Sequence, residues 1–319
     1  MVKIAVAGAT SQLGKEVLDK LSADQKHEII ALVRQDPTEL PPLPGVKWAK
    51  TSYQDKSELV GLLRGVHTVL CFFTVHLDAG NESQKLLIDA AVEAGVKRYA
   101  PAEWATGEKL PSSVDVFSWY TNKVDIRHYL QELNKDKQVL EYSKFQIGAY
   151  MNALGHPHKT TKHVSTIKAQ FDYVGLQALV IEGSLDDDIT YTTVNDLVNI
   201  IARAVDYEGT WPTVGGISGH RITVRELLAL AEVVRGKPFA IDWLKKEDLE
   251  AGEVKTKNLM VVDLPSIPED QKEEFSKIAT RAMLLSCTRG AWTVTDEWNQ
   301  IFPDYKFTKV DEFLKGLWP

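Results

Sequence analysis

Through the first 150 residues, short and almost wholly apolar runs alternate with stretches whose apolar residues recur at helical spacing. The runs are "KIAVAG" from residue 3, "EIIALVR", "HTVLCFF" and "KRYAPAEW". A strand that is apolar at nearly every position is covered on both faces, and such strands belong to parallel sheets whose crossovers are helices. Between the runs, "LGKEVLDKL" places Leu13, Val17, Leu18 and Leu21 on one helical face, and "SELVGLLRG" reads as a short helix ended by Gly65. "SQKLLIDAAVEAG" turns Leu86, Leu87, Ala90, Ala91 and Ala94 inward, with Gly95 placed to stop it. "YTNKVDIRHYLQEL" is a further helix before a sixth strand in "VLEYSKF", and the proline-rich "QDPTELPPLPG" is a loop followed by extended "VKWAKTSY". The pattern predicts an α/β protein with a Rossmann-type doubly wound parallel sheet, its ligands outside the carboxyl ends of the strands.

Beyond residue 150 the periodicity loosens, which predicts a smaller C-terminal substrate-binding domain. The expected division is a dinucleotide-binding domain over 1–152 with returning segments at about 189–236, and a substrate-binding domain over 153–188 and 237–319. In the returning part, "ITYTTV" reads as a strand that rejoins the sheet and "NDLVNIIARAV" as an amphipathic helix. "TVRELLALAEVVRG" opens with a Thr223 and Glu226 capping box and closes at Gly236. The segment "EDQKEEFSKIATRAMLLSC" and the aromatic-rich tail from Trp292 read as helical cover.

With 44 Asp and Glu against 37 Lys and Arg, the formal charge is −7, and no basic stripe suits a nucleic acid. Cys71 and Cys287 have no paired spacing, and "HPH" at 156–158 lacks the spacing of a metal site, so neither a disulfide framework nor a metal is expected. No stretch holds eighteen uncharged apolar residues, and "KIAVAG" starts too early for a leader. These features predict a cytoplasmic protein, monomeric or homodimeric, that acts on a small molecule and not on a membrane.

The first apolar run ends in "AGATSQLG", residues 7 to 14. A strand that passes through a glycine turn into a helix offers backbone N–H groups and the positive end of a helix dipole to a pyrophosphate. Gly8 and Gly14 hold the outer positions of a dinucleotide motif, Ser11 stands where the middle glycine is expected, and Thr10, Gln12 and Leu13 complete the turn. The serine hydroxyl can itself donate to a phosphate; the alternative is a plain strand-to-helix turn. Arg34, at the end of the second run, suits a 2′-phosphate and therefore NADP(H) over NAD(H), against the alternative of a solvated surface arginine. Phe73 and Thr74 end the fourth strand, as cofactor neighbours or as core packing.

The stretches "GATSQLG", "ALVR", "SQKLLIDAAVEAGVKRYAPAEWA", "NKVDIRHYL", "GAYMNAL" and "FPDYKF" resemble the isoflavone reductase and phenylcoumaran benzylic ether reductase group. That group lies within the NmrA-like branch of atypical short-chain dehydrogenases, and the texture is most similar to fungal members, often found in secondary-metabolite pathways. The resemblance implies NADPH and reduction of an aromatic or conjugated small molecule. It puts the family's lysine on Lys123, and it puts Glu103 and Trp104, in "PAEW", near the nicotinamide. This chain departs from the family at Ser11, for glycine, and at Ala102, for serine.

Hydride transfer to a carbonyl or conjugated system leaves negative charge on an oxygen, so a donor must face that point. Typical short-chain dehydrogenases use tyrosine and lysine four residues apart; here Tyr120 and Lys123 are three apart, and Lys123 is the candidate acid or ribose clamp. His76, Tyr120, Tyr150 and Asn152 are candidate pocket residues alongside Glu103 and Trp104. Two other functions remain open on this reading: a non-catalytic NADP(H) sensor that regulates partners, and a cofactor-independent isomerase, lyase or cyclase.

Overall fold

A computed structural model describes residues 1–261 and 268–318. Residues 262–267 and 319 of the expected substrate-binding segment lie outside the described residues. The chain divides into two compact units, one of Met1–Trp104, Trp119–Phe145 and Leu197–Gly215, the other of Ala105–Ser118, Gln146–Asp196 and Gly216–Pro319.

In the first unit, β1 (Lys3–Ala7), α1 (Gln12–Asp24), β2 (Glu28–Val33), β3 (Val46–Lys50), α2 (Lys56–Leu63) and β4 (Thr68–Cys71) follow one another. They are succeeded by α3 (Glu82–Glu93), β5 (Arg98–Ala100), α4 (Thr121–Leu133) and β6 (Glu141–Tyr142). The six strands form one sheet in the order β3-β2-β1-β4-β5-β6, and the registered pairs are parallel throughout. The chain therefore winds outward from β1 to one edge and then from β4 to the other, the switch point falling between β1 and β4. This is a Rossmann-type α/β fold. Apolar strand residues explain it: Ile4, Ala5, Val6 and Ala7 of β1, and Val69, Leu70 and Cys71 of β4, are fully buried. Helix α3 packs Leu87, Ile88, Ala90 and Ala91 against the same core as Leu59 and Leu63 of α2. Leu86 and Ala94 reach only its margin, because the buried arc centres on Leu87 and Ala91.

The segment 197–215 returns to this unit along α5 (Val194–Asp206). Arg98, on β5, holds it: the guanidinium pairs with Glu141 at 2.9 Å, donates to the carbonyls of Tyr207 and Gly209 at 2.5 Å each, and lies 5.3 Å from the Trp211 ring centroid. A buried cation with all three of its nitrogens hydrogen-bonded is a strong local fastener.

The second unit contains two three-stranded sheets. In one, Gln177–Ile181 is central, parallel to Ala240–Leu244 and antiparallel to Phe171–Asp172. In the other, Asp188–Thr192 is central, antiparallel to His220–Thr223 and parallel to Ala149–Tyr150. The expectation that "ITYTTV" rejoins the six-stranded sheet therefore does not hold. Its alternate threonines give the reason: the Thr192 hydroxyl lies 2.9 Å from the carbonyl oxygens of Ile147 and Ile217, and Thr190 accepts from Val294 N–H at 3.3 Å. Those hydroxyls need polar partners that a doubly covered apolar sheet does not supply. Residues 105–118, 146–152, 189–196 and 216–236 also fall in this unit, where the sequence pattern had placed them with the first. Thr223 and Glu226 form the capping box, and Gly236 caps the helix Val224–Arg235.

Candidate functional site

The turn after β1 is shaped by two close approaches. Gly8 has φ +69°, and a Cβ there would lie 2.8 Å from the Phe72 carbonyl oxygen. A Cβ on Gly14 would lie 2.8 Å from the Gly8 carbonyl oxygen and from Ser11 Oγ. Both glycines are thus dictated by backbone packing. Ser11 is not a defective glycine: its φ of −64° is open to any residue, and its hydroxyl oxygen caps α1 by accepting from Gly14 N–H at 3.1 Å. The first turn of α1 carries no acidic residue.

Gly8, Thr10, Ser11, Arg34, Phe73 and Thr74 line one hollow of about 320 Å³, together with Tyr53, Phe72 and Asp78. Gln12, Leu13 and Gly14 form the first turn of α1 and do not line it. Arg34 is exposed at the rim, 5.6 Å from the Tyr53 ring centroid and 3.5 Å from Ser83 Oγ. A glycine cradle that side chains would fill, a helix start without acidic charge and a rim guanidinium together fit a phosphorylated dinucleotide.

Tyr53 carries no signal in the sequence, yet it sits at the centre of this arrangement. It is 2% exposed, its hydroxyl accepts from Gly8 N–H at 3.0 Å and donates to the Leu32 carbonyl at 2.8 Å, and its ring meets Phe73 edge-on at 4.7 Å.

The second cluster gathers around Lys123, in the first turn of α4. Its ammonium donates to the Glu103 carbonyl oxygen and lies 3.9 Å from the Tyr120 ring centroid. Tyr120 closes a 3₁₀ turn before α4, so the three-residue spacing still makes the two neighbours. Burial of the ammonium lowers the Lys123 pKa to about 8; the Glu103 charge opposes this and that of Arg127 adds to it. The Glu103 carboxylate faces Arg127, which donates to its two oxygens at 2.8 and 2.7 Å. Arg127 lies four residues after Lys123 on the same helix face, a spacing that by itself places the two cations side by side. The Glu103 carbonyl is aimed by a tight turn, with Glu103 N–H donating to Pro101 O at 2.7 Å and Trp104 at φ +46°. Trp104 is buried, stacked on Phe72 and Phe145 at 4.6 and 5.2 Å, and its indole N–H donates to the Cys71 carbonyl at 2.6 Å.

Phe72, which lines the hollow and stacks on Trp104, links the two clusters. A second link is Asn122, whose amide donates to the carbonyls of Val75 and Asp78 at 2.7 Å each. Asp78 in turn accepts from the N–H groups of Ser83 and Gln84 at 2.9 Å, fixing the start of α3. His76 is exposed in the short turn between them. Tyr150 and Asn152 belong to the second unit, where the Asn152 side chain accepts from Val194 N–H at 2.8 Å and donates to Thr160 at 2.9 Å. Among the described residues, no helix is long and apolar enough to cross a membrane.

A doubly wound sheet with a glycine turn at its switch point and a rim arginine defines a dinucleotide-binding type of α/β protein. Within that class the sequence matches the NmrA-like family over residues 2–314, and the chain belongs to that family. One relative is "Oxidoreductase swnN" of Metarhizium robertsii, 24% identical, with all of this chain and 98% of that protein covered. Among solved structures, AtPrR2 with NADP+ and (+)pinoresinol superposes with a TM-score of 0.68 at 17% identity over 99% of this chain and 98% of the other. The NADPH-dependent quinone oxidoreductase QOR2 of Escherichia coli, complexed with NADPH, gives 0.68 at 18% identity over 99% and 100%. Both share the fold of this chain.

Proposed function

We propose that the protein is an NADPH-dependent reductase of an aromatic or conjugated small molecule, with a role in secondary metabolism. The observation that carries the reading is the single hollow in which Gly8, Ser11 and Arg34 meet at the carboxyl edge of the parallel sheet. The family, the oxidoreductase name of the fungal relative, and the NADP+ and NADPH held by the fold neighbours support it. Pinoresinol and quinones, named for those neighbours, set the substrate class to test first.

In this reading Gly8, Thr10, Ser11 and the start of α1 hold the pyrophosphate, and Arg34 pairs with the 2′-phosphate. Phe73 and Thr74 wall the cofactor, and bound NADPH supplies the hydride. Lys123 is the catalytic acid: a buried ammonium whose pKa is lowered to about 8 gives up a proton to a developing oxyanion far more readily than a solvated lysine does. Tyr120 flanks it with an aromatic face, and Arg127 keeps the Glu103 carboxylate from claiming it. His76 remains a proposed contributor to the substrate pocket.

The test is NADPH oxidation followed spectroscopically with a panel of quinones and benzylic ethers, wild type against Lys123→Met. Turnover in the wild type that falls by about 10²–10⁴-fold in the variant supports the assignment. A panel that leaves NADPH untouched, with tight cofactor binding intact, would instead support the sensor reading.

A further inference from the structure

We propose that Tyr53 is the positioning residue that sets both the geometry of the phosphate turn and the preference for a 2′-phosphorylated dinucleotide; this rests on the cofactor reading above. Three observations converge on it. First, Gly8 follows the last residue of β1, and its N–H donates to the Tyr53 hydroxyl at 3.0 Å. Second, the same hydroxyl gives its only proton to Leu32 O at 2.8 Å. Leu32 lies two residues before Arg34, so one oxygen joins the β1 turn to the end of β2. With donor and acceptor both engaged the hydroxyl has a single orientation. Third, the face of the Tyr53 ring lies under the Arg34 guanidinium at 5.6 Å, while Phe73 braces the ring from the side at 4.7 Å.

The backbone bears this placement at a cost. Tyr53 has φ +61°, a left-handed conformation that a bulky residue adopts only where its surroundings hold it there. Its N–H donates to Thr51 Oγ1 at 3.1 Å, and Thr51 is itself buried. Such strain at the wall of the hollow is what a residue kept for position shows. The ring separates two effects. Its hydroxyl acts on the turn, and so on every dinucleotide alike; its face acts on Arg34, and so only on one that bears a 2′-phosphate.

The experiment titrates wild type, Tyr53→Phe, Tyr53→Leu and Arg34→Ala with NADPH and with NADH, following binding calorimetrically. Tyr53→Phe keeps the ring and is expected to weaken both dinucleotides by roughly tenfold, with their ratio unchanged. Tyr53→Leu is expected to lose, in addition, about threefold or more of the NADPH over NADH preference, moving toward Arg34→Ala. A merely structural role lowers the melting temperature without moving that ratio between the two Tyr53 variants. Wild-type affinities in Tyr53→Phe would overturn the role in the turn, and a wild-type ratio in Tyr53→Leu would overturn the role toward Arg34. If Tyr53→Leu does not fold, Tyr53→Phe still decides: a ratio that drops with the ring intact contradicts the inference. Wild-type protein that binds neither dinucleotide overturns the cofactor reading and this inference together, a result distinct from failure of the Tyr53 variants alone.

Discussion

Lys123 shows how a residue changes character when its environment does. On an exposed helix it is a solvated cation; here it is 5% exposed, with a backbone carbonyl and a tyrosine face for company. Its pKa of about 8 has a sign that can be tested. If the ammonium is the acid, turnover is highest below about pH 8 and falls tenfold per unit above it. For stability the direction is opposite. Between about 8 and the ordinary lysine value near ~10.4, the unfolded chain binds more protons, so the penalty of the buried charge is relieved as pH rises. Arg127 tunes the same group. In Arg127→Met the buried Glu103 carboxylate loses its two hydrogen bonds, at a cost of about 3–5 kcal/mol, measurable by denaturant titration. With the arginine's repulsion gone and Glu103 free to attract Lys123, the alkaline limb of the pH–rate profile should move upward.

At the level of elements, α1 and its turn decide whether the sheet's switch point can take a phosphate. Ser11 caps this helix, so Ser11→Ala is expected to cost about 1 kcal/mol, whereas Ser11→Gly costs a few tenths and does not improve cofactor affinity. That outcome separates a capping serine from an impaired glycine motif. Gly14→Ala places a methyl group against the Gly8 carbonyl, and it should both destabilise the unit and weaken cofactor binding severalfold. Melting temperature and affinity read together check it. What was legible in the sequence at this scale was local: the apolar runs, the glycine turn, the Thr223 and Glu226 box, and the helix that carries Lys123. What was not legible was pairing across long separations. The strand Ala240–Leu244 carries too little alternation to announce itself, with one buried residue in five, and its partner Gln177–Ile181 lies some sixty residues earlier. "ITYTTV" reads as a strand either way; only the partners of its threonine hydroxyls show which sheet it joins.

For the molecule as a whole, the sheet and the turn point to a dinucleotide, while the residues that tune the site come from sequence-distant segments. Tyr53 follows β3, Arg34 follows β2, Asp78 follows β4, and Asn122 lies in the first turn of α4; the doubly wound topology alone brings them to one edge. Sequence spacing could suggest Arg127 beside Lys123, but nothing local marks Tyr53 as the partner of Gly8. On this geometry, the edge is expected to hold a 2′-phosphorylated dinucleotide. That expectation is tested most directly by calorimetric titration of cofactor-stripped protein with NADPH, NADP+ and NADH in parallel. Micromolar binding of the two phosphorylated forms, with NADH at least tenfold weaker, is the predicted result. Absence of binding, or equal affinity for NADH and NADPH, would contradict the account.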